Sequence, residues 1–452
     1  MCRRRGDREV ADITQTPAPQ KDTAQTEIVG KKDNAAVPVP EKVKVCCFCE
    51  RWESGGIESF LCNALCHMDL SGLEVDIVAA QMGDSIFTAP LTAHGIRFYE
   101  LSGRQNSVFE NHRLFWKLLA ERQYDVVHLN IFHGLSLCYG FLARQTGIPV
   151  RIAHSHNSAL RKSRARPLKL LVHYISRGLF SFSVTDLWAC SGMAAKFLFS
   201  KKALVSKDFL FIPNGIDVER FQFNASVREK VREELGLRNK YVIGNIGRLC
   251  YQKNQEFLIE IFSELLRGRP ESCLLLVGAG EAEPMLRKKA EDLGVAGASI
   301  FYGTSARVEQ LMWAMDVFVM PSRFEGLPVT GIEAQASGLP CVFSDAVTQE
   351  CRICGSTQFI SLSEPAEVWA EKISHICGCG NREDAASAAQ EAGFSIVDVA
   401  LRIKKSYLRA EGYGRSEDFS DHSDLPGGAV SLQMCGERSD ADLSRSGNHS
   451  GR

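Results

Sequence analysis

Short apolar runs alternate along this chain with segments whose apolar positions recur at helical spacing, and the alternation occurs twice. In the first series, strands are predicted over Val43–Phe48, Glu74–Ala79, Tyr124–Leu129, Val150–His154 and Leu187–Cys190, with helices over Gly56–Asp69 and Ser136–Thr146. The pattern restarts after Phe211-Ile-Pro-Asn-Gly-Ile-Asp217 and a charged helix over Ser226–Leu235. Strands then follow over Tyr241–Ile246, Cys273–Val277, Ile300–Tyr302, Asp316–Met320 and Cys341–Phe343, separated by helices over Asn254–Leu266, Glu283–Leu293 and Arg307–Trp313. Strands that alternate with helices predict parallel sheets covered on both faces, and the restart predicts an α/β protein of two doubly wound Rossmann-like domains.

The expected boundaries are a first domain over 42–220, joined by a return helix within 396–412, and a second domain over 221–395. Residues 1–41 mix Lys, Asp, Gln, Thr and Pro without a sustained period, and residues 413–452 are rich in Ser, Asp, Gly and Arg. Both read as disordered, a leader and a tail.

Composition narrows the class. At 452 residues, with 45% hydrophobic and 24% charged residues, the chain can bury a core for two domains. A formal net charge of -1, with no block of cations interleaved with aromatics, makes nucleic acid an unfavoured partner. No apolar run approaches the length of a membrane span and no signal-peptide core opens the chain, so a cytoplasmic protein is expected. The 16 cysteines sit largely in apolar runs and read as reduced thiols. Cys351-x-x-Cys354 with Cys377-x-Cys379 invites a four-thiolate zinc site, but the second pair is too closely spaced, and no metal ligand set is expected.

The candidate chemistry concentrates in the second half. The run Pro321-Ser-Arg-Phe-Glu325-Gly-Leu-Pro328 leads from a strand into a helix that carries Glu333 and ends at Gly338-Leu-Pro340. Two carboxylates thus stand eight residues apart across a loop-to-helix junction at the carboxyl edge of a parallel sheet, where open α/β folds bind ligands. Arg248 and Lys253 stand just after the first strand of the same domain, and two fixed cations there suit a diphosphate. In the first domain, Gly55-Gly56 leads into a helix, where backbone amides can approach a phosphate or simply make a turn. His154 and His156 alternate at the end of a strand, so both can face a cleft, as ligand-orienting groups or as structural histidines. Gly278-Ala-Gly280 follows a strand, but Glu283 stands where a dinucleotide fingerprint needs its third glycine. The basic, partly apolar stretch Leu160–Val172 suits either anionic lipid headgroups or a solvated helix face.

Taken together, Gly55-Gly56, Arg151-Ile-Ala-His-Ser-His-Asn157, Ile212-Pro-Asn-Gly-Ile-Asp217, Gly247-Arg-Leu249, Gln252-Lys-Asn254, Ala314-Met-Asp-Val-Phe318 and the 325–340 run resemble the retaining glycosyltransferases of family 4. Within that family the likeness is to the EpsF-like bacterial exopolysaccharide group. The resemblance implies the GT-B fold, with two domains facing across a cleft and the nucleotide held mainly on the C-terminal one. It implies that Arg248 and Lys253 hold the diphosphate, that Glu333 accepts from the ribose hydroxyls and that Glu325 lies beside the transferred sugar. Gly326 and Leu327 would line the donor from the same loop, and Gly56 would give its amide to the diphosphate. His154 is the nearest match to the family's active-site histidine, with His156 as the alternative.

The implied reaction transfers a hexose from a UDP-sugar to a saccharide acceptor, lipid-linked, with retention and without a cofactor or divalent metal. Peripheral contact with the inner face of the cell membrane is a further expectation. A nucleotide-sugar-binding subunit without turnover and a GT-B UDP-sugar epimerase are the alternatives.

Overall fold

The computed structural model describes residues 42–412, apart from 106, 158–164, 206–208 and 377–381. The expected leader and tail, and Cys377 and Cys379 of the weighed thiolate set, lie outside the described residues. Two parallel sheets dominate the described chain. The first contains β1 (Val43–Trp52), β2 (Leu73–Met82), β3 (Arg97–Glu100), β4 (Val126–Ile131), β5 (Val150–Ser155), β6 (Asp186–Ala189) and β7 (Phe209–Phe211), in the order β3-β2-β1-β4-β5-β6-β7. The second contains β8 (Tyr241–Ile246), β9 (Ser272–Val277), β10 (Ser299–Gly303), β11 (Val317–Met320), β12 (Cys341–Ser344) and β13 (Gln358–Ile360), in the order β10-β9-β8-β11-β12-β13.

The continuous apolar runs form strands because both faces of each sheet are covered. Along β1, Val45, Cys47 and Cys49 enter one core layer while Cys46 and Phe48 enter the layer on the other face. The helices used below are α1 (Gly56–Cys66), α2 (Val108–Arg122), α3 (Arg166–Phe180), α4 (Ala225–Glu234), α5 (Gln255–Gly268), α6 (Val329–Ala336) and α7 (Ile396–Leu408).

Several elements had no counterpart in the sequence pattern, β3 and α2 among them. β3 reads Arg97-Phe98-Tyr99-Glu100, with charges at both ends that mask a strand. The fold neutralises Arg97 through Glu74 and Asp76 of the neighbouring strand; Asp76 also accepts from Tyr124 Oη at 2.7 Å and from Arg122 at 3.2 Å. α2 follows directly, with Ser107 capping the amide of Glu110.

The chain passes between the two lobes twice, and the two passages run side by side. Ile216 N donates to Phe394 O and Ile396 N donates to Ile216 O, each at 2.8 Å. Gly215 permits this approach, since a Cβ there would fall 2.8 Å from the Ile396 Cα. α7 then packs on the first lobe, where Val399, Ile403 and Tyr407 are buried among Val45, Trp52, Phe60 and Leu61.

α4 is tied to the second sheet by one carboxylate. Asp316 accepts from Arg228 at 2.6 Å, Arg232 at 3.2 Å and the Val242 amide at 2.7 Å. Of the weighed thiolate set, Cys351 is buried and donates to Thr348 O at 3.0 Å, while Cys354 lies against Ser356.

Candidate functional site

β8 and β11 are neighbours whose following strands lie on opposite sides, so the order of the second sheet reverses between them. A crevice opens at the carboxyl ends of two such strands, because their loops leave in opposite directions. The loop Gly247–Asn254 follows β8 and the loop Pro321–Pro328 follows β11. They are stitched together: Arg323 N donates to Gln252 O at 2.8 Å, and Asn254 Nδ2 donates to Pro321 O at 3.0 Å. Gln252 Nε2 donates to Phe324 O at 3.1 Å and to Glu325 Oε2 at 3.3 Å.

Lys253 Nζ stands 2.8 Å from Glu325 Oε1, and the two side chains are 17% and 9% exposed. A pair so little exposed is fixed in geometry, because separating either partner leaves a charge poorly solvated. Lys253 follows Cys250, to whose carbonyl its amide donates at 3.2 Å, and precedes Asn254, whose left-handed backbone (φ 56°) starts α5.

Arg248 does not join them. The expectation that both cations face Glu325 holds for Lys253 alone; Arg248 is 72% exposed and pairs with Glu281 at 3.1 Å. Its extended guanidinium reaches the nearest surface carboxylate, and an exposed pair of this kind contributes little. Arg248 can therefore turn to a stronger anion at small cost.

Glu333 lies within α6, which begins at Val329 with Pro328 as its cap. The Glu333 carboxyl is pushed up to about 7 by burial, with Arg220 opposing the shift and Glu309 adding to it. Arg220 is itself held by Glu309 at 2.8 Å. Gly326 has open space around it, whereas the side chain of Leu327 is buried in the core of the second lobe. Leu327 therefore anchors the loop, and only its backbone is left to line the crevice.

In the first lobe, Gly55 caps α1, and Gly56 opens it with no atom within 4 Å of where a Cβ would stand. Sequence reasoning missed Glu58. Its carboxylate folds back over the start of its own helix, accepting from the Glu53 amide at 3.2 Å and lying 2.7 Å from where a Gly55 Cβ would be. Burial raises the Glu58 carboxyl above its ordinary range, against bonds from the backbone of Glu58, Glu53 and Gly55. The signal was present: Glu58 is the third residue after the cap, the position from which a glutamate bonds back to a helix start.

The expectation that His154 faces the cleft is corrected. His154 is fully buried, with Nδ1 3.1 Å from His128 Nε2; His128 Nδ1 in turn lies 2.7 Å from Tyr407 Oη of α7. The ring also packs edge-on against Trp188 and Phe60. Alternation along β5 turns it inward, to the core layer that α7 covers. His156, beyond the end of β5, is only half-buried, and its Nε2 lies 3.0 Å from Asn130 Oδ1. Burial holds His156 down to about 3, so it is neutral at physiological pH. With Nε2–H donated to Asn130, Nδ1 keeps its lone pair.

A direct test separates the two rings. His156→Ala leaves the melting temperature little changed, since that ring is only half-buried. His154→Ala instead leaves His128 Nε2 buried without its partner and lowers the melting temperature by several degrees, as about 1–3 kcal/mol from an unsatisfied buried group requires. Calorimetry on both variants checks this.

Loops at the carboxyl ends of the two sheets meet at one point. Glu350, after β12, accepts from the Gly192 amide, after β6, at 2.8 Å. Beside this contact is a cavity of about 460 Å³ lined from both lobes, by Lys196 and Phe209 on one side and Arg352 and Phe394 on the other. Among the described residues no group of three or more His, Cys, Asp or Glu is placed to hold a metal ion.

Residues 54–220 match the family model Glycosyltransferase Family 4, and residues 227–392 match Glycosyl transferases group 1. The chain is 32% identical over 338 residues to "Putative glycosyltransferase EpsF" of Bacillus subtilis, covering 72% of this chain and 85% of that one. It is 28% identical over 243 residues to the UDP-Gal:alpha-D-GlcNAc-diphosphoundecaprenol alpha-1,3-galactosyltransferase of Escherichia coli, covering 53% and 62%. Among solved structures, Anabaena Alr3699/HepE in complex with UDP superposes with a TM-score of 0.65 at 18% identity, over 81% of this chain and 100% of that one. The sucrose-phosphate synthase of Thermosynechococcus elongatus gives 0.64 at 17% identity, over 82% and 100%. These likenesses give the GT-B fold.

Proposed function

Because the chain belongs to glycosyltransferase family 4, we propose that it moves a hexose from a UDP-sugar to a hydroxyl of a lipid-linked saccharide, with retention of configuration. Its product would enter exopolysaccharide or another cell-surface polysaccharide, made from the cytoplasmic side. The observation that carries this reading is the Lys253–Glu325 pair, held on two stitched loops at the reversal point of the second sheet. The UDP in the Anabaena structure and the UDP-Gal donor named for the Escherichia coli relative support a UDP-linked donor.

In this reading Lys253, joined by Arg248 turning from Glu281, neutralises the diphosphate as its bond to the anomeric carbon breaks. The acceptor oxygen bonds to that carbon on the same face, and its proton passes to the departing phosphate oxygen. Charge compensation therefore falls to side chains, and no step is assigned to a divalent metal. Glu333 accepts from the ribose hydroxyls, Glu325 holds Lys253 beside the transferred sugar, the Gly56 amide approaches the diphosphate from the first lobe, and His156 Nδ1 orients a sugar hydroxyl. His156 replaces His154 in that role.

One variant tests the donor half by two readouts. Glu333→Ala weakens UDP binding by about 1.5–3 kcal/mol through loss of a charged hydrogen bond, measured by calorimetry. The second readout is stability against pH. Burial raises the Glu333 carboxyl in the folded chain to about 7, so the folded state holds a proton that the unfolded state releases near its ordinary value of ~4.3. The neutral form thus contributes stability that is complete below about pH 4 and is lost as pH rises through about 7, some ~3–4 kcal/mol in all. Glu333→Ala flattens that slope. Unchanged UDP affinity would remove Glu333 from the site. UDP release that needs no acceptor would mark an epimerase, and UDP binding without release in the presence of acceptors would mark a binding subunit. Loss of transfer in excess EDTA would overturn the metal-free assignment.

A further inference from the structure

α3 carries its apolar side outward. Leu168, Leu171, Val172, Ile175 and Leu179 recur at steps of three and four, which aligns them in one stripe, and they are between 37% and 64% exposed. Phe182, 57% exposed, extends the stripe past the end of the helix. The buried positions of α3 are polar, His173 and Ser176. A surface helix ordinarily buries its apolar face, so this one is inverted.

The inversion is fixed by bonding. Gly134 N donates to His173 Nδ1 at 2.8 Å, and His173 Nε2 donates to Phe197 O at 3.0 Å. The imidazole stacks on Phe197 with ring centroids 4.2 Å apart. The contact with Gly134 is so close that a Cβ there would fall 2.3 Å from His173 O. Both ring nitrogens are spent on the fold, and the helix cannot roll its stripe inward without losing both bonds.

Charge identifies what the stripe meets. From Val126 to Thr185 the chain carries eight Arg and Lys and not one Asp or Glu, although the whole chain has a net charge of -1. Arg166, Lys169 and Arg177 of that set lie on α3 itself. Two copies packed through this face would bring cation against cation, which disfavours self-association. A contiguous apolar stripe flanked by cations matches the boundary between phosphate headgroups and acyl chains. No helix among the described residues is long and apolar enough to cross a membrane.

We propose that α3 lies in the plane of an anionic bilayer, with Leu171, Ile175 and their stripe in the headgroup–acyl boundary and the flanking cations on lipid phosphates. The helix follows β5, whose carboxyl end carries His156, so the bilayer meets the first lobe on the side of the cleft. The surface goes beyond the transfer reading and stands or falls independently of it.

The test uses the full chain and sedimentation with vesicles of phosphatidylglycerol and phosphatidylcholine, against vesicles of phosphatidylcholine alone. The wild type binds the anionic vesicles, releases at high salt and leaves the neutral ones largely unbound. Leu171→Glu with Ile175→Glu weakens vesicle binding by at least about tenfold, because two inserted side chains become repelled charges. Both positions are exposed, so the melting temperature and its rise with UDP stay unchanged; that rise reports the donor site separately. Absence of vesicle binding, equal binding to neutral vesicles, or insensitivity to the double substitution overturns the proposal. So does a lipid-free dimer of the wild type that the double substitution splits, which would assign the stripe to a second copy.

Discussion

Lys253→Met lowers the rate of sugar transfer by about 10²- to 10³-fold, the loss expected when one preorganised positive group is removed from a developing leaving-group charge. Lys253 is singled out over Arg248 because its ammonium is already in place: 17% exposed, 2.8 Å from Glu325 and carried on a loop bonded at three points to its neighbour. Arg248, turned to Glu281 on the surface, must first be recruited, and its loss costs less. Methionine leaves Glu325 buried without its cation, which itself destabilises the loop by about 3–5 kcal/mol. The companion variant Lys253→Met/Glu325→Gln removes both charges and restores much of that stability. If the double variant recovers its melting temperature but not its turnover, measured by coupled UDP release, the loss belongs to chemistry. Full turnover in either variant would sink the assignment of the leaving group to Lys253.

Gly280→Ala has a comparable effect by an unrelated cause. A Cβ at Gly280 would fall 2.2 Å from Leu249 O, and one at Gly278 would fall 2.1 Å from Gly247 O, in both cases against backbone that cannot rotate away. Gly278 also has a φ of 131°, a conformation that side chains rarely adopt. The loop Gly247–Leu249 lies directly on these glycines, with Leu249 N donating to Ala279 O and Ala282 N to Leu249 O, each at 3.0 Å. Gly280→Ala therefore lifts the loop that carries Arg248, costs about 3 kcal/mol and lowers the melting temperature by roughly 5–10 °C. UDP affinity falls with it. Gly268→Ala, at the exposed end of α5 with no atom within 4 Å, is the control and leaves both unchanged.

Those two glycines also show what a sequence can conceal. Gly278-Ala-Gly280 looks like the beginning of a nucleotide fingerprint, yet the glycines serve close packing of one loop on another. No local pattern distinguishes these uses, because the backbone that crowds them comes from a distant stretch of the chain. The inner strands of both sheets were legible because burial on both faces demands uninterrupted apolar runs. The edge strands β3, β7 and β13 were not, since an edge position tolerates short runs and, in β3, Arg97 and Glu100. Likewise α3 was legible as apolar and basic, but which side faces solvent depends on His173 meeting Gly134 and Phe197. The crevice loops were legible as the carboxyl ends of adjacent strands. The partner of Arg248 was not, because pairing between exposed loops is set by their conformation. His154 and His156 share a strand face by spacing alone; the layer of α7 over His154 is what separates them.

The passage back to the first lobe has a bearing on how the chain is made. Ile396, Val399, Ile403 and Tyr407 fill the layer beneath β1, so the half of the molecule that leaves the ribosome first is finished by residues that leave it late. Until then the nascent first lobe exposes the apolar surface around Trp52 and Phe60, while the second lobe has every strand of its own sheet before α7 emerges. Maturation thus runs against the order of synthesis, and cleavage after Ser395 would strand an early-made half without its lid.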